Sequence, residues 1–227
     1  MRESLPILMQ ARLFRGIEED ELSSMLACLG GTARRFPKGS TILRAGEPVR
    51  QMGVVLSGQV QVSREDADGG RILMAAIPPG GIFAEAFACA RAELLPVTVI
   101  ASEDSNILLM DCSKLLTPCS NLCRFHTQLV SNLMEILAQK NIFLSQKLEH
   151  LSKRTLREKL LSYLWEQAAE CGARTFTIPF DRQALADYLC ADRSALSREI
   201  GKLQREGVLN AERSRFTLLT ASKEARL

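Results

Sequence analysis

The spacing of apolar and polar positions changes three times along the chain. Between residues 5 and 29, Ile17, Leu22, Met25 and Leu26 follow an acidic cluster at Glu18 to Glu21, which predicts short helices packed against the neighbouring segment. From Thr32 to Asp111 the pattern becomes extended runs broken by glycine and proline: STILRAGEP, MGVVLSGQVQVSRE, RILMAAIPPGG, VTVIASEDS and NILLMD. These predict a small all-β barrel or jelly roll, with the clearest hairpin turn at Asp68, Gly69 and Gly70 and a break at Pro78 to Gly81.

After Asp111 the period turns helical. Thr117 and Pro118 read as an N-cap and first-turn proline opening a helix that runs to about His150. Leu122, Leu129, Ile136 and Phe143 recur every seven residues, and Val130, Leu137, Leu144 and Leu151 form a second row beside them. One row suffices to cover the barrel. Two predict contact with a second copy as well, hence a parallel homodimer, although a helix fully buried in a monomer gives the same stripe. Ser152 is expected to cap the next helix, which stops at Gly172, and TFTIPF reads as a short strand.

Phe180 to Gly207 then reads as two short helices joined by a tight turn. Leu185, Tyr188 and Leu189 give the first an apolar face; Asp192 caps the second, whose apolar positions are Leu196, Ile200 and Leu203, and Gly207 stops it. Arg193, Ser194, Ser197, Arg198 and Lys202 fall on the opposite side. Such a face fits a major groove, where the planar fork of an arginine reaches both guanine acceptors. A solvated charged face shows the same pattern. VLNAERSRFTLLTA predicts two strands around a polar turn, a wing with Arg213 and Arg215 near its tip as candidate phosphate contacts.

Composition narrows the class. A chain of 227 residues with 46% hydrophobic and 24% charged positions has room for two small globular domains. No apolar run approaches the roughly 20 residues of a membrane span, and the first residues lack a signal-peptide core, so no membrane partner and a cytoplasmic location are expected. Seven cysteines without framework spacing point to reduced thiols. Residues 1 to 150 carry 15 basic against 16 acidic side chains, residues 151 to 227 carry 14 against 10. The basic excess lies where the helix pair lies, as phosphate contact requires.

A jelly roll, a long helix and a C-terminal winged helix-turn-helix, in that order, resemble the bacterial CRP/FNR family of transcription regulators. The resemblance rests on GSTILRAGEP and VVLSGQVQV in the barrel, PPGGIFAEAF after the hairpin, and LADYLCADRSALSREIGKLQREGVL at the end. It implies an α+β chain: a cyclic-nucleotide-binding-like sensing domain over 1–116, a dimerisation helix over 117–150, and a DNA-binding domain over 151–227. Double-stranded DNA, a second copy and RNA polymerase are the implied partners. In the branch with a DRSALSRE recognition helix, Arg198 is expected to bind the guanine of a TGA-type half-site, Arg193 a phosphate or neighbouring base, and Ser197 a base or methyl group. Ser194 stands where the family carries glutamate, which changes selectivity at one base pair.

The effector pocket implied by the resemblance comprises Phe83, Ala84, Glu85, Arg91, Leu95 and Pro96. Cyclic-nucleotide-binding members hold ribose with Gly-Glu and the phosphate with Arg-Ser; here Ala84-Glu85 and Leu95-Pro96 align, leaving the phosphate without a partner and arguing against cyclic AMP. Arg91 leaves room for an organic acid. The alternative sensor is redox or metal chemistry at Cys119, Cys123 and His126, which share a helix face at i, i+4 and i+7; small packing groups facing the barrel give the same pattern. Cys89 and Cys112 join it only if the fold brings them close. An iron–sulfur centre is disfavoured because only Cys28 precedes residue 89, and haem is unsupported with His126 and His150 as the two histidines.

No nucleophile elbow, phosphate-binding glycine loop or HExxH is present in the sequence, so an enzyme is not expected. The remaining rival is a ligand-sensing regulatory subunit whose C-terminal domain contacts protein.

Overall fold

A computed structural model describes residues 5–65, 71–117 and 124–220. The chain clusters into two compact units, residues 1–139 and 140–227, so the division falls inside the long helix. In the first unit, helices α1 (Leu5–Gln10) and α2 (Glu19–Cys28) flank a 3-10 turn at Arg12–Phe14. The acidic cluster forms the start of α2, where Glu18 and Glu21 cap each other's backbone amides.

Eight strands come next: β1 (Thr32–Phe36), β2 (Thr41–Leu43), β3 (Gln51–Ser57), β4 (Val60–Glu65), β5 (Arg71–Ile77), β6 (Ile82–Phe83), β7 (Thr98–Ala101) and β8 (Ser105–Asp111). They form two four-stranded antiparallel sheets, ordered β1-β8-β3-β6 and β2-β7-β4-β5. This is the β architecture that the broken extended runs predict. Glu65 pairs with Arg71 across the β4–β5 hairpin, whose turn at Asp68 to Gly70 lies outside the described residues.

Two short helices interrupt the strands, α3 (Glu85–Cys89) after β6 and α4 (Cys112–Leu116) after β8. A core of Val55, Val60, Phe83, Val99, Ile107 and Leu109 fills part of the β domain. Phe83 reaches it across β3: a Cβ at Gly53 would stand 2.0 Å from the Phe83 ring, so this strand position has room only for glycine.

Thr117 closes α4, and the start of the long helix expected just after it lies outside the described residues. Asp111 caps the start of α4 by accepting from the Ser113 amide at 2.8 Å, and the Thr117 hydroxyl donates back to the Ser113 carbonyl at 2.8 Å, ending it. Pro118 and Leu122 lie outside the described residues. Helix α5 is described from Arg124 to Leu151. Its early turns bury Leu129 and Leu133 in the first unit's core. Asn132 is buried there too, donating to the carbonyls of Leu13 at 2.9 Å and Arg15 at 2.8 Å, which pins the helix to the N-terminal turn. Met134, Ile142, Phe143, Leu144 and Leu148, by contrast, are exposed.

The second unit continues with α6 (Leu156–Cys171), β9 (Thr175–Thr177), α7 (Arg182–Tyr188), α8 (Arg193–Arg205), β10 (Leu209–Glu212) and β11 (Arg215–Leu218). Ser152 does not cap α6. Its hydroxyl bonds back to the Glu149 carbonyl at the end of α5, and Thr155 caps α6 in a reciprocal box with Glu158. The box wins because it satisfies two orphan amides where a lone serine satisfies one. Gly172 ends α6 in the left-handed conformation.

Candidate nucleic-acid interface

Helices α7 and α8 stand on one core of Leu185, Leu189, Leu196, Ile200 and Leu203, closed by Leu160, Leu164 and Phe216. Asp192 accepts from the Ala195 amide at 2.9 Å and fixes the start of α8; this bond holds its carboxyl below the ordinary range, with Ser194 and the Arg198 charge adding to it. Gly207, with φ +73°, lies just past the end of α8 and lets the chain turn into β10.

Burying Leu196, Ile200 and Leu203 leaves Arg193, Ser194, Ser197, Arg198 and Lys202 exposed together on the other side of α8. Lys202 lies 4.0 Å from Glu206, while Arg157 on α6 meets Glu206 at 2.5 Å and Glu199 at 3.7 Å. The acidic side chains of α8 are thereby engaged by α6, and the reading face keeps its positive sign.

Strands β10, β11 and β9 form the wing sheet, with register Glu212 to Arg215 at its tip. Arg213 and Arg215 are exposed there. Arg182, which the sequence pattern did not single out, lies over the Phe216 ring at 5.6 Å and donates to the Arg213 carbonyl at 3.3 Å. Desolvation lowers its pKa. It straps the wing to the first residue of α7.

The six residues expected around an effector divide between the interior and the surface. Phe83 is in the core, Ala84 caps α3 with φ 61°, and Glu85 is buried beside it. Leu95 is buried and Pro96 exposed. Arg91 lines a cavity of about 430 Å³ with Arg50, Glu93 and Asp111, and Leu95 lines a second of about 290 Å³ that shares Arg50 and Asp111. Mixed charges meet in both.

Of the alternative sensor residues, Cys119 and Cys123 lie outside the described residues. His126 is buried, its Nε2 2.6 Å from the Leu115 carbonyl, so that nitrogen is a donor already engaged with backbone. No group of three or more metal-binding side chains occurs among the described residues.

Residues 33–121 match the cyclic nucleotide-binding domain family, and residues 158–223 match the Crp-like helix-turn-helix domain. The chain belongs to the Crp/Fnr family. It is similar to the transcriptional activator protein FnrL of Cereibacter sphaeroides, 23% identical across 82% of this chain and 76% of that one. Over 79 residues, 35% of this chain and 34% of the other, it is 30% identical to a CRP-like cAMP-activated global transcriptional regulator of Mycobacterium tuberculosis. Its fold resembles the solved structure of CprK complexed with OCPA, with a TM-score of 0.65, 15% identity, and 91% and 92% of the two chains covered. The Crp/Fnr chain is thus a DNA-binding transcription regulator in class; no described helix is long and apolar enough to cross a membrane.

Proposed function

We propose that the protein acts as a homodimer on a palindromic operator, and that an effector at the β domain or the long helix sets its affinity for DNA. The carrying observation is the exposed Arg193, Ser194, Ser197, Arg198 and Lys202 face of α8, held opposite a fully apolar one. Arg198 takes the guanine of each half-site, Arg193 a phosphate or neighbouring base, and Ser197 an adjacent base. Ser194 accepts poorly from cytosine, so selectivity at its base pair departs from that of a glutamate by about 1–3 kcal/mol.

The dimer reading is supported by Met134 and Leu148, 66% and 70% exposed on α5, with Leu144 between them. Apolar side chains this bare on a helix are covered most economically by the same helix of a second copy. Two reading helices related by a two-fold axis require half-sites about 34 Å apart. RNA polymerase is the partner that turns occupancy into transcription.

The effector is a small molecule other than cyclic AMP. Leu95 and Pro96 bring no charge for a phosphate, and Leu95 is buried in the core. An effector shifts DNA affinity only by its preference for one arrangement of the two reading helices.

Purified, reduced protein incubated with a random duplex library at about 0.15 M salt tests the reading, because sequence-independent attraction is weakened there. Enrichment of a two-fold palindrome with TGA-type arms is the expected result. Retention of all duplexes alike, with and without candidate organic acids, would reject it in favour of a regulatory subunit that contacts protein.

A further inference from the structure

We propose that Cys89 and Cys112 form a dithiol site that reacts with hydroperoxides and closes to a disulfide within one chain. Cys89 is the last residue of α3 and Cys112 the first of α4; 23 positions apart in sequence, their sulfurs lie 4.0 Å apart. Both cysteines are free. The two play unequal parts, since Cys112 is buried while Cys89 is partly open to solvent. A small oxidant therefore meets Cys89 first.

The electrostatics agree with that order. As Cys89 ionises, the Cys112 S–H donates to its sulfur, and this bond draws the Cys89 thiol below its ordinary value against the opposing effects of burial and the Glu85 charge. The same bond, then burial, push Cys112 up. Cys89 is therefore the more acidic thiol and Cys112 the one that holds its proton longer.

In the first step the Cys89 thiolate attacks the terminal oxygen of hydrogen peroxide. The O–O bond breaks, a sulfenic acid forms at Cys89, and the departing hydroxide takes a proton to leave as water. Loss of the Cys89 negative charge removes the main reason for Cys112 to keep its proton. The Cys112 sulfur then attacks the Cys89 sulfur, the S–O bond breaks, and the hydroxide leaves with the Cys112 proton as a second water. Two thiols supply two electrons, and one peroxide becomes two waters.

The sulfurs must approach from 4.0 Å to about 2 Å. Cys89 ends one helix of five residues and Cys112 begins another, so the closure joins the ends of two short helices. The other described cysteines, Cys28, Cys171 and Cys190, are exposed.

Reduced full-length protein, desalted without air and treated with one equivalent of hydrogen peroxide, is digested without reductant and mapped by mass. A peptide pair joined through Cys89 and Cys112 and lighter by two hydrogens is expected, with Cys28, Cys171 and Cys190 still reactive to alkylation. In Cys112→Ser, dimedone should trap a sulfenic acid at Cys89; in Cys89→Ser, position 112 should stay untrapped. Oxidation of Cys28, Cys171 or Cys190 ahead of Cys89, or a linkage through Cys119 or Cys123 in its place, would overturn the proposal. The wild-type map decides even if either variant folds poorly.

Discussion

The Nδ1 of His150, at the end of α5, lies 3.0 Å from the hydroxyl of Tyr188, at the end of α7. On its other side His150 Nε2 lies 2.8 Å from Glu166 on α6. With Nε2–H donating to the carboxylate, Nδ1 accepts from the tyrosine. Burial, then the Glu166 and Glu170 charges, push the Tyr188 hydroxyl up to about 12, so it keeps the proton it donates. Tyr188→Phe leaves a buried ring nitrogen unpaired and should cost about 1–3 kcal/mol, read as a lower urea midpoint with an unchanged slope. An unaltered midpoint would mean that water replaces the hydroxyl.

Arg198→Ala should abolish selective duplex binding while leaving the mass in solution unchanged, because Arg198 is exposed and packs in no core. Losing a bidentate base contact costs about 1–3 kcal/mol of discrimination. Competition between a selected operator and scrambled duplex measures it. Equal loss on both duplexes would make Arg198 a phosphate contact instead.

Gly53→Ala drives a methyl into the Phe83 ring and should destabilise the first unit by about 1–3 kcal/mol, the usual range for overpacking. Phe83→Leu in the same chain should recover part of that loss. A double-mutant cycle by thermal unfolding reads the coupling, and strict additivity of the two changes would count against direct contact.

Asn132→Leu strands the carbonyls of Leu13 and Arg15 without their donors. Destabilisation of about 1–3 kcal/mol is expected, together with faster amide exchange in residues 5–15. Exchange that rises evenly over the whole first unit would place the loss in the core instead.

Asp192 sets a pH dependence. Its folded pKa is lowered, so the stability it contributes is complete above the ordinary carboxylate value of about 3.9 and is lost as pH falls through the lower folded value. Asp192→Ala should therefore be less stable than the parent at neutral pH, with the gap closing only in acid. Urea titrations at a series of pH values measure the gap. A constant gap would assign the effect to helix propensity.

Short-range signals carried most of what the chain displays. Asp192, Gly207 and Gly172 cap their helices where their chemistry and spacing place them, and the apolar positions Leu196, Ile200 and Leu203 turned one face of α8 inward unaided. Ser152 and Thr155 show the limit of such signals: either residue can cap, and Glu158 decides between them. Thr117 is ambiguous in the same way, since a threonine caps a start or bonds back at an end. Asn132 hid because a polar residue on a helix reads as solvated, and the carbonyls it serves lie more than a hundred residues away in sequence. Cys89 and Cys112 meet only because β7 and β8 intervene and return the chain, a relation no local spacing records.

The strap formed by Arg182 bears on how binding should respond to ionic strength. A partly buried cation packed on Phe216 and bonded to a carbonyl is already engaged, so it has less ion exchange to offer a phosphate than a free one. The salt slope of operator binding should accordingly count exposed cations such as Arg193, Lys202, Arg213 and Arg215 and pass over Arg182, whose charge is spent on shaping the hairpin.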